Sequence, residues 1–428
     1  MNSDDILTLP LEGVRVLDMS EVWAGPMACT LLADLGASVI KLESFPRPSL
    51  TRMRAQGIGH TKKGLEAPRP WDRAALNNLA NRNKIGITLN IRHPDGKRLF
   101  HELVSISDVV TESMTAGTAA RLGISYNDLK VLRPDIIILS TSGWGTLGPY
   151  QGYAALGAAL DGFSGHHALR GYPDTDPTMT TSVQHTDSSA ALMGSFAILA
   201  ALHYRNRSGN GQWIDLSQSE TFLPHLGSNL MDYTMNHRFP HPVGNKHQFH
   251  APYGCYQCSG EDDWVVIHIT SHDEWISLCE ITSNRHWIDD PRFSDPINRH
   301  NNQDLLDQEL QLWTSVRDKF TIMHMLQNAG VPAQAVLDDV NVYNDPHLND
   351  REFFNTIDHK VIGKYQYPGF PWKMTRRKQV VHHGPNSLGE HNQDVYGDLL
   401  GLSDSEIEYL KAEGVIGDTF PPDRYAEY

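Results

Sequence analysis

The sequence predicts an α/β fold: a large Rossmann-like domain built on a parallel sheet, together with a smaller α+β domain. Three observations carry this expectation. Strand and helix signals alternate from Gly13 onward, and Ile136–Ser140 (IIILS) is an uninterrupted apolar strand of the kind buried on both faces. The chain then changes character at HRFPHPVGNKHQFHAPYG, a stretch rich in His, Pro and Gly that reads as a linker between domains.

Taken in order, Gly13–Glu43 opens with the strand GVRVLDMS, turns through EVWAGP, continues as the helix MACTLLADLG and ends in the strand SVIKLE. This is a βαβ unit, and it implies a parallel sheet with a right-handed crossover. Glu43 sits where a dinucleotide fold carries its acidic residue, but the turn lacks the three glycines, so NAD is not expected. Arg47–Arg73, rich in Pro, Gly, Arg and Lys, reads as a surface loop. A strand at Gly86–Asn90, a helix ending near Val104, a strand at Asp108–Glu112 and a helix at Tyr126–Leu132 extend the alternation. The buried strand then runs into SGWGTLGPY, a glycine-rich loop at a carboxyl end, where open α/β sheets form their clefts.

Next, Asp187, Ser188 and Ser189 precede the apolar run Ala190–Leu202, which Arg205, Arg207 and the turn Ser208–Gly211 follow. These are helix start and stop signals, and they predict a buried helix at about 189–206 with Asp187 at its amino end. On local pattern an aspartate there is a helix cap. It is also where the helix field favours an ionised carboxylate, which could serve as a nucleophile. After a strand at Gln212–Ser217 and a helix at 219–235, strands at Tyr253–Gln257 and Asp263–Thr270 and a helix at Asp273–Ile281 build the smaller unit. The last part is loop-rich, with strand-like GKYQYPGF and KQVV, and closes on two short helices with Ser403 as a cap. The division expected is 1–225 for the first part of the large domain, 226–252 for the linker, 253–335 for the small domain and 336–428 for the return to the large domain.

The chain has 428 residues and a formal charge of −15. That charge argues against nucleic acid as a partner, since a contact face must neutralise phosphates. The opening MNSDDILTLPLEG lacks the cationic and apolar regions of a signal peptide, and no apolar run is long enough to span a bilayer. A cytoplasmic protein without membrane contact is expected. Cys255 and Cys258 form a lone C-x-x-C without a second pair; His241, His247 and His250 lie within reach in sequence and leave a metal site open, but packed thiols are the expectation.

Several landmarks together resemble the class III coenzyme A transferases, the family of formyl-CoA, carnitine and bile-acid CoA transferases with the related 2-methylacyl-CoA racemases. They are LEGVRVLDMSEVWAGPMACTLLADLGASVIKLES, NRNKIGITLNI with PDGKRLFHELVSISDVV, RLGISYNDLKVLRPDIIILSTSGWGTLGPY, ILAALHYRNRSGNGQWIDLSQSE, GVPAQAVLDDVNVYNDPHL and GEHNQDVYGDLLGLSDSEIEYLKAEGVI, in this order along the chain. The resemblance places the catalytic aspartate at Asp187. It puts Val22, Ala24, Lys84, Met114 and Arg121 at positions that contact CoA, and Trp23 and Trp144 at the substrate pocket. Trp23 stands where formyl-CoA transferases carry glutamine, and Ser44, Ser113, Met114 and Ser142 fall where some members carry a basic or amide residue. The resemblance also implies an interlocked, ring-like homodimer, no resident cofactor, and coenzyme A as a thioester substrate.

The chemistry so implied is transfer of coenzyme A from an acyl-CoA to a free carboxylic acid through aspartyl anhydride and aspartyl-CoA thioester intermediates. Ser188, Ser189 and the glycines of SGWG are candidates for holding the oxyanions. A racemase of the same family is the alternative. It would need a second base some thirty residues before the aspartate, where this chain has Leu156, with His166, His167 and His185 nearby in sequence.

Overall fold

Six parallel strands form the central sheet, in the order β3-β2-β1-β4-β5-β6. The computed structural model describes residues 9–52, 68–179, 183–375 and 381–421. The strands are β1 (Arg15–Asp18), β2 (Ser38–Ser44), β3 (Ile85–Leu89), β4 (Val109–Glu112), β5 (Ile137–Ser142) and β6 (Gln212–Ser217). The order reverses beside β1, whose neighbours are β2 and β4, so the crevice of the fold lies at the carboxyl ends of β1 and β4.

Neighbouring residues of each strand point into different cores, as the pleat demands. Val16, Val39, Val109 and Ile137 face one core with helices α1 (Ala24–Asp34) and α4 (His185–Ser208). Leu17, Ile40, Val110 and Ile138 face the other, with helix α2 (Pro94–Ser105) and the C-terminal residues Tyr396, Ile407 and Val415. Both faces are covered, which is why the strands read as continuous apolar runs. Between α2 and α4 lies the short helix α3 (Gly157–Phe163).

The described chain divides into two compact units. The first holds the described residues up to Ser164, those from 183 to Ser228 and those from Asp350 on; the second holds Gly165 to Met179 and Asn229–Asn349. The expected linker 226–252 is therefore largely part of the second unit. Within that unit the Gly244 N–H donates to the Gly171 carbonyl, a bond between distant segments that no local pattern announces. The expected helix at 219–235 is three pieces, Gln218–Phe222, Leu223–Leu226 and Gly227–Asn236. Pro224, without an N–H and crowding the preceding turn, is where it breaks.

The second unit has a three-stranded antiparallel sheet of β7 (Tyr253–Gln257), β8 (Trp264–His268) and β9 (Ala333–Ala335). Its core is built on Trp275, Trp287, Phe293 and Leu306. Trp275 comes from helix α5 (His272–Ile281), whose start is closed by a Ser271–Glu274 capping box. Trp275 is fully buried and stacks on Trp287 with ring centroids 6.0 Å apart. Trp275→Ala is expected to cost about 3–5 kcal/mol, read as a lowered urea midpoint of the transition that involves this unit.

The chain then forms the hairpin β10 (Phe354–His359) and β11 (Gly363–Pro368). Helix α6 (Asp404–Ala412) follows, capped by Ser403 as expected. The hairpin's first strand falls in the part expected to be loop, and most of KQVV lies outside the described residues. No described helix is long and apolar enough to cross a membrane.

Part of the expected surface loop 47–73 is core instead. Arg52 is 1% exposed, its guanidinium gripped by Glu43 at 2.5 and 2.8 Å and by Asp72 at 2.7 Å, with a further bond to the Asn386 carbonyl. Glu43 is thus occupied by an arginine, which removes the acidic residue a dinucleotide site would use.

Candidate functional site

Helices α1 and α4 both start at the carboxyl edge of the sheet. Each helix precedes a parallel strand and so runs back from that edge. They pack closely enough that a Cβ at Gly194 of α4 would lie 3.5 Å from the Ala28 Cβ of α1. Ala24 opens α1 and Asp187 lies in the first turn of α4, so both stand at the same rim.

The β1–α1 turn is held from below by a buried cluster. Asp18, at the end of β1, is fully buried and bonded by Ser20 and by Lys84 at 2.9 Å, with Lys41 beside it. Burial opposes its ionisation, but Lys41 and Lys84 outweigh that and hold its carboxyl well below the ordinary range. Val22 follows with φ of 71°, a left-handed conformation that a β-branched residue adopts only under strain. Gly25 must be glycine, because a Cβ there would sit 2.4 Å from the Ser20 Cβ. Val22, Trp23 and Ala24 therefore form a rigidly imposed turn at the rim.

The other expected CoA contacts are placed unevenly. Met114 follows β4, its N–H donating to Glu112 at 2.6 Å. Arg121 is exposed and bonds Thr118, and it makes no ion pair among the described residues, so its charge is available. Lys84 does not fit its expected role. Its side chain is fully buried, and the ammonium is saturated by Asp18, Asn81 and the carbonyls of Pro26 and Ala80. It is a cation that holds the β1–α1 turn, with nothing left to offer a phosphate.

On the far side of the crevice, Trp144 lies in the loop after β5, edge-on to Phe163 of α3 at 4.7 Å and to Tyr150 at 5.8 Å. Its Nε1, with Thr141 Oγ1 and Ser142 Oγ, is buried without a hydrogen-bond partner among the described residues. Buried polar atoms are rarely left so, and the carboxyl end of β5 thus carries three groups that suit a polar guest.

Asp187 itself begins inside α4 rather than before it, since the helix starts at His185. It is 8% exposed, and its carboxylate accepts no hydrogen bond from the described residues. Burial first, and the carboxylate of Asp161 second, push its pKa up to about 6. Asp161, on α3, is tied to the same turn by Thr186, whose N–H and Oγ donate to its Oδ1 at 3.2 and 3.0 Å. The Asp187 Oδ2 lies so near Gly157 that a Cβ there would be 2.2 Å away. An aspartate serving as a cap would accept backbone N–H bonds and have a lowered pKa; this one does neither.

Ser188 and Ser189 lie within α4 and form no turn. Ser189 Oγ is 3.2 Å from His225 Nε2, and the Thr186 and Asp187 N–H groups are taken by Asp161 and the Gln184 carbonyl. His185 stacks on Phe222, and Leu156 is the exposed residue before α3. Sequence reasoning missed Asp161 and Gly157: nothing in LGAALDGF signals that this helix start rests against another.

The family model described as CoA-transferase family III matches residues 11–392. The chain is 31% identical over 407 residues to succinyl-CoA–D-citramalate CoA-transferase of Chloroflexus aurantiacus, covering 95% of this chain and 98% of that one. It is 28% identical to human succinyl-CoA:glutarate CoA-transferase over 413 residues, covering 95% and 90%. Among solved structures it is similar to a CaiB/BaiF family protein from Brucella suis, with a TM-score of 0.81, 28% identity, and 92% and 100% of the two chains covered.

Proposed function

The chain belongs to CoA-transferase family III, an enzyme family that moves coenzyme A between an acyl-CoA thioester and a carboxylate, and we propose that Asp187 carries out this transfer as a covalent nucleophile. The observation that supports it is the largely buried Asp187 carboxylate, without a hydrogen bond from the described residues, at the rim where α1 and α4 begin. Desolvation without hydrogen bonding leaves a carboxylate nucleophilic.

An Asp187 oxygen attacks the thioester carbon of the donor, the C–S bond breaks, and CoA thiolate leaves an acyl-aspartyl anhydride. The thiolate attacks the aspartyl carbonyl and releases the donor acid, leaving an aspartyl-CoA thioester. The acceptor carboxylate attacks that carbonyl, expelling thiolate and forming a second anhydride. Attack of the thiolate on the acceptor carbonyl gives the new acyl-CoA and restores Asp187. No metal or resident cofactor enters this reading. Val22, Ala24, Met114 and Arg121 contact the CoA, and Trp23 and Trp144 bound the acyl group. The working form is an interlocked homodimer, as the resemblance implies, and it works in the cytoplasm.

Relatives are named for D-citramalate, for glutarate and for oxalate, and Trp23, in place of the glutamine of formyl-CoA transferases, counts against a formyl or oxalate substrate. Succinyl-CoA crossed with a panel of free mono- and dicarboxylic acids is the direct assay. New acyl-CoA formed only when an acid is supplied supports the transferase. Deuterium entering the acyl α carbon with no transfer to any acid would replace it with the racemase.

Asp187 is a nucleophile only when ionised, so kcat/KM for acyl-CoA is expected to fall with unit slope as the pH drops below about 6. Asp161→Asn removes the second cause of the raised pKa while keeping an acceptor for Thr186. The acid limb should therefore move to lower pH, yet stop above the ordinary carboxylate range because burial remains. A limb unmoved by Asp161→Asn contradicts this electrostatic coupling.

A further inference from the structure

We propose that Gly157 is a positioning residue for the transfer reaction: it presents no side chain at the start of α3 and so opens the slot in which the Asp187 carboxylate is seated. This rests on the reading of Asp187 as the nucleophile. A Cβ at position 157 would lie 2.2 Å from Asp187 Oδ2, and 3.1 and 3.2 Å from Gln184 Cγ and Cβ. No real carbon approaches an oxygen so closely, so either a helix or the carboxylate must yield.

The backbone does not itself demand glycine there. Gly157 is absent from the positive-φ residues, and it lies in regular helix that any residue can adopt. What the position requires is room. Nor can α3 readily withdraw: Thr186 of α4 bonds Asp161, and its Oγ reaches the Gly157 carbonyl at 3.4 Å, while Leu160 is 1% exposed in the core. An added methyl is therefore met by rotation of Asp187 out of the slot. Gly162, on the same helix, has open space around its missing Cβ and serves as the control.

The consequence is specific to the chemical step, since displacing a reacting group by about 1 Å costs on the order of 100-fold. In Gly157→Ala, kcat is expected to fall about 100-fold while KM for acyl-CoA stays within about threefold, because the CoA contacts lie elsewhere. Gly162→Ala should match the wild type in both. A wild-type kcat in Gly157→Ala, or an equal loss in Gly162→Ala, overturns the proposal. Thermal unfolding of Gly157→Ala, Asp187→Ala and the variant that combines them supplies the second readout. Gly157→Ala should lower Tm in the presence of Asp187 and do so by much less in the Asp187→Ala background, where the clashing oxygen is gone. Equal losses in both backgrounds contradict the slot. The mass of the wild-type protein after incubation with acyl-CoA separates the two claims: no adduct on Asp187 removes the nucleophile reading, whereas an adduct together with an unimpaired Gly157→Ala removes the slot alone.

Discussion

Asp187→Ala is expected to abolish CoA transfer, lowering kcat by at least about four orders of magnitude, as loss of a covalent nucleophile does. The same substitution should leave the fold intact and raise its stability near pH 7. A carboxylate that is 8% exposed, accepts no hydrogen bond from the described residues and faces Asp161 costs folding energy when ionised. The sign follows from the raised pKa. The folded chain holds the Asp187 proton more tightly than the unfolded chain, so stability falls as pH rises from about 3.8 through about 6. Alanine removes that dependence. A structural aspartate would behave oppositely, its loss costing stability, so kinetics and thermal unfolding of one variant distinguish the two roles. Destabilisation near pH 7 with activity retained would show Asp187 to be a cap after all.

Arg52→Ala is expected to lower stability by about 3–5 kcal/mol, read from the urea midpoint. The guanidinium sits between Glu43 and Asp72, all three within a few per cent of full burial, and its removal strands two carboxylates in the interior. Most of the loss should belong to those orphaned charges rather than to the missing attraction. Arg52→Met combined with Glu43→Gln is accordingly expected to recover part of it. If the single and double variants unfold alike, the cluster's contribution has another origin.

This cluster also shows where sequence reading loses its grip. The strands of the large unit were legible because each must be apolar on both faces, and Val16 with Leu17, or Ile137 with Ile138, can serve two cores only in a covered parallel sheet. Asp187 was legible as the residue that opens a long apolar helix. Arg52 was not, because its partners Glu43, Asp72 and Asn386 meet through a cradle that spans most of the chain and leaves no periodic trace. The resemblance puts Lys84 at a CoA contact, but the position fixes only the backbone. Where the ammonium goes is decided by Asp18, 66 residues away.

Asp161 and Gly157 failed for a related reason. Helix α3 is short, and a glycine and an aspartate on it look like ordinary surface residues until the first turn of α4 is laid against them. The pKa of Asp187 and the room for its carboxylate are both properties of that meeting. The second unit was similarly hidden in part. It begins with Gly165 to Met179, which the chain leaves and rejoins only after α4 and β6 are complete.

The central claim is covalent, and the most direct measurement is the intact mass of the protein after incubation with succinyl-CoA, followed by peptide mapping. A CoA adduct is expected on the peptide that contains Asp187, discharged by an acceptor acid and missing from Asp187→Ala. An adduct that persists in Asp187→Ala, or rapid transfer between acids with no adduct ever trapped on that peptide, would contradict it.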